Sequence, residues 1–249
     1  NDIAQTWSEH IEDLKMALET YGRILMLQPT DADVQKHIET IASKTLELQT
    51  WADLYSRVLN ENLVEDYQDK RIIMLSLARL FAERLDNHDK ARELCRAMLA
   101  EEAEEMEAYD ILEWSYAQKH DYSAMLTLWT EKSEIIQDQD EKLALMLRMA
   151  TLQEEIAHDD MAACKTYQAM LEIDQNAASA CTALERLLRK TEQYKELADF
   201  YRTQSDYASN DKERVEYMHK LGVVLARELH DMEEATEVFE NALSIQRDS

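Results

Sequence analysis

Glycine and proline are nearly missing from this chain: two glycines, Gly22 and Gly222, and one proline, Pro29, occur in 249 residues. The strongest turn formers are therefore almost absent. Valine is scarce as well, while Ala, Leu, Glu, Met, Gln and Lys, all strong helix formers, dominate. The chain is expected to be almost entirely helical, with short, tight connections. Long apolar runs are also lacking. No stretch approaches the roughly 18 consecutive apolar residues of a membrane span, and Asn1-Asp2-Ile3 has no signal-peptide character, so no membrane insertion is expected.

Positive charge is the next scarcity. Lys plus Arg total 27 against 52 Asp plus Glu, a formal charge of −25. Such an excess repels nucleic acid phosphates and anionic lipid head groups, which argues against nucleic acid and membrane-surface roles. It would attract a basic protein or peptide, although acidic outer faces also simply keep a large helical surface in solution. Three cysteines, Cys95, Cys164 and Cys181, form an odd set without CxxC spacing, so neither a disulfide framework nor a zinc site is indicated. Cys95 and Cys181 fall in registers that carry aromatics in other repeats and read as small core residues. A reducing, cytoplasmic setting fits this usage.

Chemistry-bearing motifs are missing too. The two glycines are too far apart to build a phosphate-cradling loop, and there is no HExxH or GxSxG. Enzyme activity and cofactors are not expected. His158-Asp159-Asp160 could in principle ligate a metal, but His230-Asp231 and Asn87-His88-Asp89 lie at or near equivalent points, as helix-capping residues would. The acidic pairs Glu101-Glu102 and Glu104-Glu105, and the run Asp138 to Glu141, read as solvated turns and helix starts.

Against these absences stands a repeat. The stretch from Ala78 to Tyr122 recurs 72 residues later, from Ala150 to Tyr194, with eleven of 45 positions identical. Ala163, Tyr167, Leu171 and Ile173 are answered in turn by Ala235, Phe239, Leu243 and Ile245. Most of the matches are small or apolar, as stacked units need where each packs on the next. A finer period is marked at Ala17, Leu54, Ala91, Met125, Ala163, Leu197 and Ala235, with intervals of 37, 37, 34, 38, 34 and 38. Each unit then holds two helices of about 15 residues, each roughly 22 Å long. The expected pairs are 31–45/48–60, 67–85/88–101, 104–119/121–137, 139–157/159–173, 176–191/193–208 and 211–229/231–246, preceded by a shortened helix and one at 11–27. Thr30-Asp31, Asn176 and Ser209-Asn210-Asp211 supply N-cap oxygens.

The run Leu221-Gly222 … Met232-Glu233-Glu234-Ala235 … Phe239-Glu240-Asn241-Ala242-Leu243 resembles a tetratricopeptide repeat. Ala163 … Tyr167 … Met170-Leu171 and Ala17 … Tyr21 … Ile24-Leu25 … Pro29 repeat its second half. The resemblance covers essentially the whole chain. It implies an all-α, right-handed α-solenoid of antiparallel helix pairs, about 13–14 helices in a single array over 1–249. The units are roughly 1–29, 30–62, 63–102, 103–137, 138–174, 175–209 and 210–249. Two departures stand out: the small mid-helix residue (Ala78, Ala150, Gly222) gives way to Glu113 and Glu185 in the short units, and four extra residues must lengthen the first helix or its turn in the long ones.

The same resemblance implies that one register of the first helices faces a concave groove. There stand Lys36 and Lys44, then Arg79, then Trp114 and Gln118, then Arg186, Arg189 and Lys190, then Arg227. The asparagines that accompany carboxylate-binding bases in some members of the family are missing, so that specificity does not carry over. Two readings of the bases remain open: an inner surface less acidic than the outer one, or cations paired with acidic helices opposite. Trp51, Tyr122 and Tyr194 read as packing residues, whereas Trp114 reads as a groove residue or as a wedge between units.

The expectation is a protein-interaction scaffold that takes a protein or peptide segment of mixed charge in its groove. The alternatives are a regulatory or assembly segment of a larger enzyme or envelope complex, or an acidic, chaperone-like binder of basic proteins. With no polar capping helix after Ile245, the natural chain is expected to continue, or a partner to cover that end.

Overall fold

The computed structural model describes residues 14–248. The chain divides into two compact units, Asn1–Ile135 and Ile136–Ser249. The N-terminal unit contains α1 (Leu14–Leu27), α2 (Ala32–Thr45), α3 (Leu48–Asn60), α4 (Tyr67–Arg79, prolonged by a π-helical turn at Leu80–Arg84), α5 (His88–Glu101), α6 (Met106–Gln118) and α7 (Tyr122–Ile135). The C-terminal unit contains α8 (Gln139–Glu155), α9 (Asp160–Ile173), α10 (Ala178–Lys190), α11 (Tyr194–Tyr207), α12 (Asp211–Arg227) and α13 (Met232–Asp248). Among the described residues there is no strand, and no helix is long and apolar enough to cross a membrane. The shortened helix expected before α1 falls outside the described residues.

Helix starts follow from short polar side chains. Asp31, Asp66, Asn87, Asp138, Asp159 and Asn210 each accept a backbone N–H of the first turn they precede. Asn176 does not cap, contrary to expectation. Helix α10 begins later, from an N-cap at Ala177, and the Asn176 N–H is itself taken up by the Asp174 carboxylate at 2.9 Å. Where glycine would ordinarily close a helix, other residues adopt the left-handed conformation. Asp86, His120, His158, Glu192 and His230 have φ of 51°, 54°, 54°, 56° and 57°. They sit at the turn between the two helices of each pair, and their spacing of 34, 38, 34 and 38 repeats the alternation of the sequence marks. After His120 and Glu192 the next N–H reaches back to a helix carbonyl (Asp121 to Tyr116, Gln193 to Leu188, both 2.9 Å), satisfying acceptors the helix end leaves open.

The four extra residues of the long units lie in the first helix. Helices α8 and α12 run 17 residues, whereas α6 and α10 run 13. Consecutive helices pack on one another within each unit; first helices α4 and α6, and second helices α1 and α3, also touch. The core forms where these layers meet. In the N-terminal unit Tyr21, Leu25, Ile38, Tyr55, Leu77 and Leu112 are fully buried. In the C-terminal unit Ala150, Ala163, Leu184, Leu197, Tyr201 and Val224 form one cluster. Cys95 and Cys164 are buried within these layers, and half-buried Cys181 packs against the C-terminal cluster.

Candidate functional site

In the N-terminal unit the first helices α2, α4 and α6, with Trp51 of α3, line a cleft of about 480 Å³. Helix α4 contributes most of it, because Arg71, Ile72, Leu75, Ser76 and Arg79 share one helical face. Ile72 is 52% exposed there, an apolar side chain offered to solvent beside buried Leu75. The charges of the lining balance: Arg71, Arg79 and Arg84 against Glu39, Glu83 and Glu107. In a chain carrying −25 this makes the cleft far less acidic than the remaining surface.

Ion pairs between successive first helices hold its walls. Arg71 grips Glu105 through both Nε and Nη2, the latter 3.0 Å from Oε1, and Arg79 pairs with Glu107. Glu105 is only 5% exposed, so the reading of that acidic run as solvated is corrected here: its burial is tolerated because a guanidinium 34 residues earlier meets it. The Arg71 hydrogen bond holds the Glu105 carboxyl below the usual range, and Glu105 in turn raises Arg71.

A second recurrence links the two helices of the short pairs. Glu39 accepts from the Tyr55 hydroxyl at 3.5 Å, Glu113 from Trp129 Nε1 at 2.9 Å and Glu185 from the Tyr201 hydroxyl at 2.8 Å, each time across 16 residues. The following first helix adds a donor: Ser76 Oγ to Glu39 at 2.9 Å and Lys220 Nζ to Glu185 at 3.2 Å. Burial first, and the neighbouring glutamate second, push the Tyr55 phenol well above its ordinary range, and burial does the same at Tyr201. In the long pairs the equivalent residues are Ala78, Ala150 and Gly222, all buried, and a Cβ on Gly222 would lie 2.6 Å from the Phe239 ring. The glutamates that depart from the repeat pattern thus mark a polar tie where the long pairs use close apolar contact. Sequence reasoning missed the tie, although a glutamate followed after 16 residues by Tyr or Trp was there to be read.

The residues singled out from sequence fall in several places. Arg79 lines the cleft. Lys36 and Lys44, with Thr40 between them on one stripe of α2, line a separate hollow of about 380 Å³, and neither forms an ion pair among the described residues. Trp114 is 39% exposed, and its ring lies 5.5 Å from that of buried His88, whose Nε2 meets Asp86 at 2.8 Å. Gln118 is exposed at the end of α6, and neither it nor Trp114 lines the cleft. In the C-terminal unit Arg186 pairs with Glu154 at 2.7 Å and Lys190 with Asp160 at 2.8 Å. Arg189 donates to the Tyr201 hydroxyl at 2.7 Å and stands 3.6 Å from Glu185. Arg227 ends α12, exposed and without an ion pair among the described residues. Arg79 and the three α10 bases are therefore engaged by neighbouring acidic or phenolic groups.

At His158-Asp159-Asp160 the side chains do helix work: Asp159 accepts the Ala162 N–H at 2.9 Å and Asp160 takes the Lys190 ammonium. Among the described residues no group of three His, Cys, Asp or Glu is placed to hold a metal ion.

No family model matches the chain, and no curated protein matches it. Solved structures do. A chain of the Naa15/Naa10 complex bound to HypK-THB is 14% identical over 97% of this chain with a TM-score of 0.50; the alignment takes in 35% of that longer chain. A tetratricopeptide repeat protein from Parabacteroides merdae is 15% identical, covering 98% of this chain and 91% of its own, with a TM-score of 0.42. YrrB, a TPR protein with an unusual peptide-binding site, is 17% identical over 79% of this chain and 94% of its own, with a TM-score of 0.34. At these identities the likeness is one of fold. With its helix pairs at alternating spacings of 34 and 38 residues, the chain has an all-α fold of antiparallel helix pairs like that of the tetratricopeptide-repeat structures.

Proposed function

We propose that the chain is a protein-interaction scaffold whose first-helix face holds a partner segment of mixed charge, without chemistry of its own. The observation that carries this reading is the cleft on α2, α4 and α6. It offers exposed Ile72 over Leu75 between balanced arginines and glutamates, so an apolar side chain and both signs of charge find complements there. The inter-helix ion pairs also support it, since side chains already held in place lose little freedom when a ligand arrives. The similar fold in the Naa15/Naa10 structure with HypK-THB belongs to a protein assembly, which is in keeping with such a role.

Selection of peptides from a random library on the immobilised chain, followed by calorimetry, tests the reading. Ile72→Asp is expected to weaken the selected peptides by about tenfold or more while the helical signal and melting temperature stay. Equal affinity for the variant would remove the cleft from the site.

A further inference from the structure

On the second-helix side of the C-terminal unit, α9 and α11 bracket another hollow, of about 310 Å³, over α10. Leu171, Leu184 and Phe200 form its apolar floor. Three carboxylates stand at its rim: Glu172 from α9, and Glu196 and Asp199 from α11. Asp199 is already neutralised, since Arg202 Nη1 lies 2.5 Å from it and Nη2 of the same guanidinium 2.6 Å from Glu234. Glu172 and Glu196 form no ion pair among the described residues, and no lysine or arginine lines the hollow. The wall is braced: buried Gln204 donates from Nε2 to the Gln175 carbonyl at 3.4 Å and accepts from the Cys181 thiol at 3.6 Å.

A comparable hollow in the N-terminal unit, about 330 Å³ between α3 and α5, supplies its own cation. There Lys90 Nζ sits 5.0 Å over the Phe81 ring, so an internal ammonium occupies the edge of the apolar floor. The C-terminal hollow has the aromatic floor and the carboxylates without the ammonium.

We propose that this hollow docks a basic amphipathic segment of a partner protein. One apolar side chain of the segment enters against Leu171, Leu184 and Phe200, while a lysine or arginine beside it meets Glu172 and Glu196. Charge complementarity selects this occupant: the uncompensated rim lies on a chain of net charge −25, which steers basic partners toward it. An ion pair closed over an apolar floor is also less screened than one in open water. The inference is independent of the first-helix cleft, which lies in the other unit.

The test uses the full chain and two synthetic amphipathic peptides, one of leucine and lysine, the other with glutamate in place of every lysine. Fluorescence anisotropy is expected to detect binding of the lysine peptide only. Glu172→Lys/Glu196→Lys is expected to weaken it by about tenfold or more, whereas Glu237→Lys/Glu240→Lys on α13, an equal change in net charge, and Ile72→Asp leave it within about twofold. Circular dichroism melting of each variant checks folding, and hydrogen exchange is expected to place protection on α9 and α11. Equal weakening by both charge reversals would assign the binding to bulk acidity and overturn the proposal. Binding of the glutamate peptide, or protection elsewhere, would do the same.

Discussion

At the scale of single residues, the chain turns corners with unusual materials. With no glycine at these turns, it places Asp86, His120, His158, Glu192 and His230 in the left-handed region, where a Cβ crowds the following carbonyl at a cost of about 1–2 kcal/mol. Glu192 shows the cost most cleanly, because only its backbone forms hydrogen bonds among the described residues, its N–H donating to the Arg189 carbonyl at 3.3 Å and its carbonyl accepting from the Tyr194 N–H at 3.0 Å. Glu192→Gly is expected to raise stability by about 1 kcal/mol in urea denaturation, with the slope unchanged; no gain would mean that the side chain contributes something the turn geometry does not. Legibility at this scale was uneven for a physical reason. Caps such as Asp31 and Asn210 act on N–H groups two or three residues away and could be read locally. Glu105 could not, because its burial depends on Arg71, which no local pattern connects to it.

At the scale of helices and their pairs, two designs alternate. The long pairs carry a small, buried residue on the first helix, and at Gly222 a Cβ would lie 2.6 Å from the Phe239 ring of the second helix. The short pairs place a glutamate there and tie it to an aromatic on the second helix. In the C-terminal unit this tie gathers Tyr201, Arg189 and Lys220 around Glu185, with the Lys220 ammonium 5.7 Å from the Tyr201 ring centre. Removing the acceptor alone leaves the O–H of fully buried Tyr201 without an acceptor, while Arg189 still donates to its oxygen, so Glu185→Ala is expected to cost about 1–2 kcal/mol. Tyr201→Phe added to it should recover part of that loss, and a double-mutant cycle by urea denaturation measures the coupling. Strictly additive single effects would show that the tie is incidental. The helix pairs themselves were legible, because apolar spacing and the 34/38 alternation follow directly from which faces must be buried. The tie was not, since a glutamate in a core register looks like a mere departure until the partner helix is seen.

At the scale of the whole molecule, an acidic chain carries a balanced cleft on one unit and an acid-rimmed apolar hollow on the other. Of the groove residues expected from sequence, the structure puts Arg79 in the cleft, while Arg186, Arg189 and Lys190 meet carboxylates or a phenol of their own unit. The register of the first helices identified which residues face outward, but which outward residues stay unpaired depends on distances between helices that sequence spacing does not contain. The most direct measurement is hydrogen exchange by mass spectrometry on the full chain, with and without a peptide selected on it. Added protection is expected in α2 around Glu39 and Ser43, and in α4 from Arg71 to Arg79, lost in Ile72→Asp. Saturating peptide that leaves both segments exchanging at their free rates would contradict the central claim that the first-helix cleft is where this scaffold holds its partner.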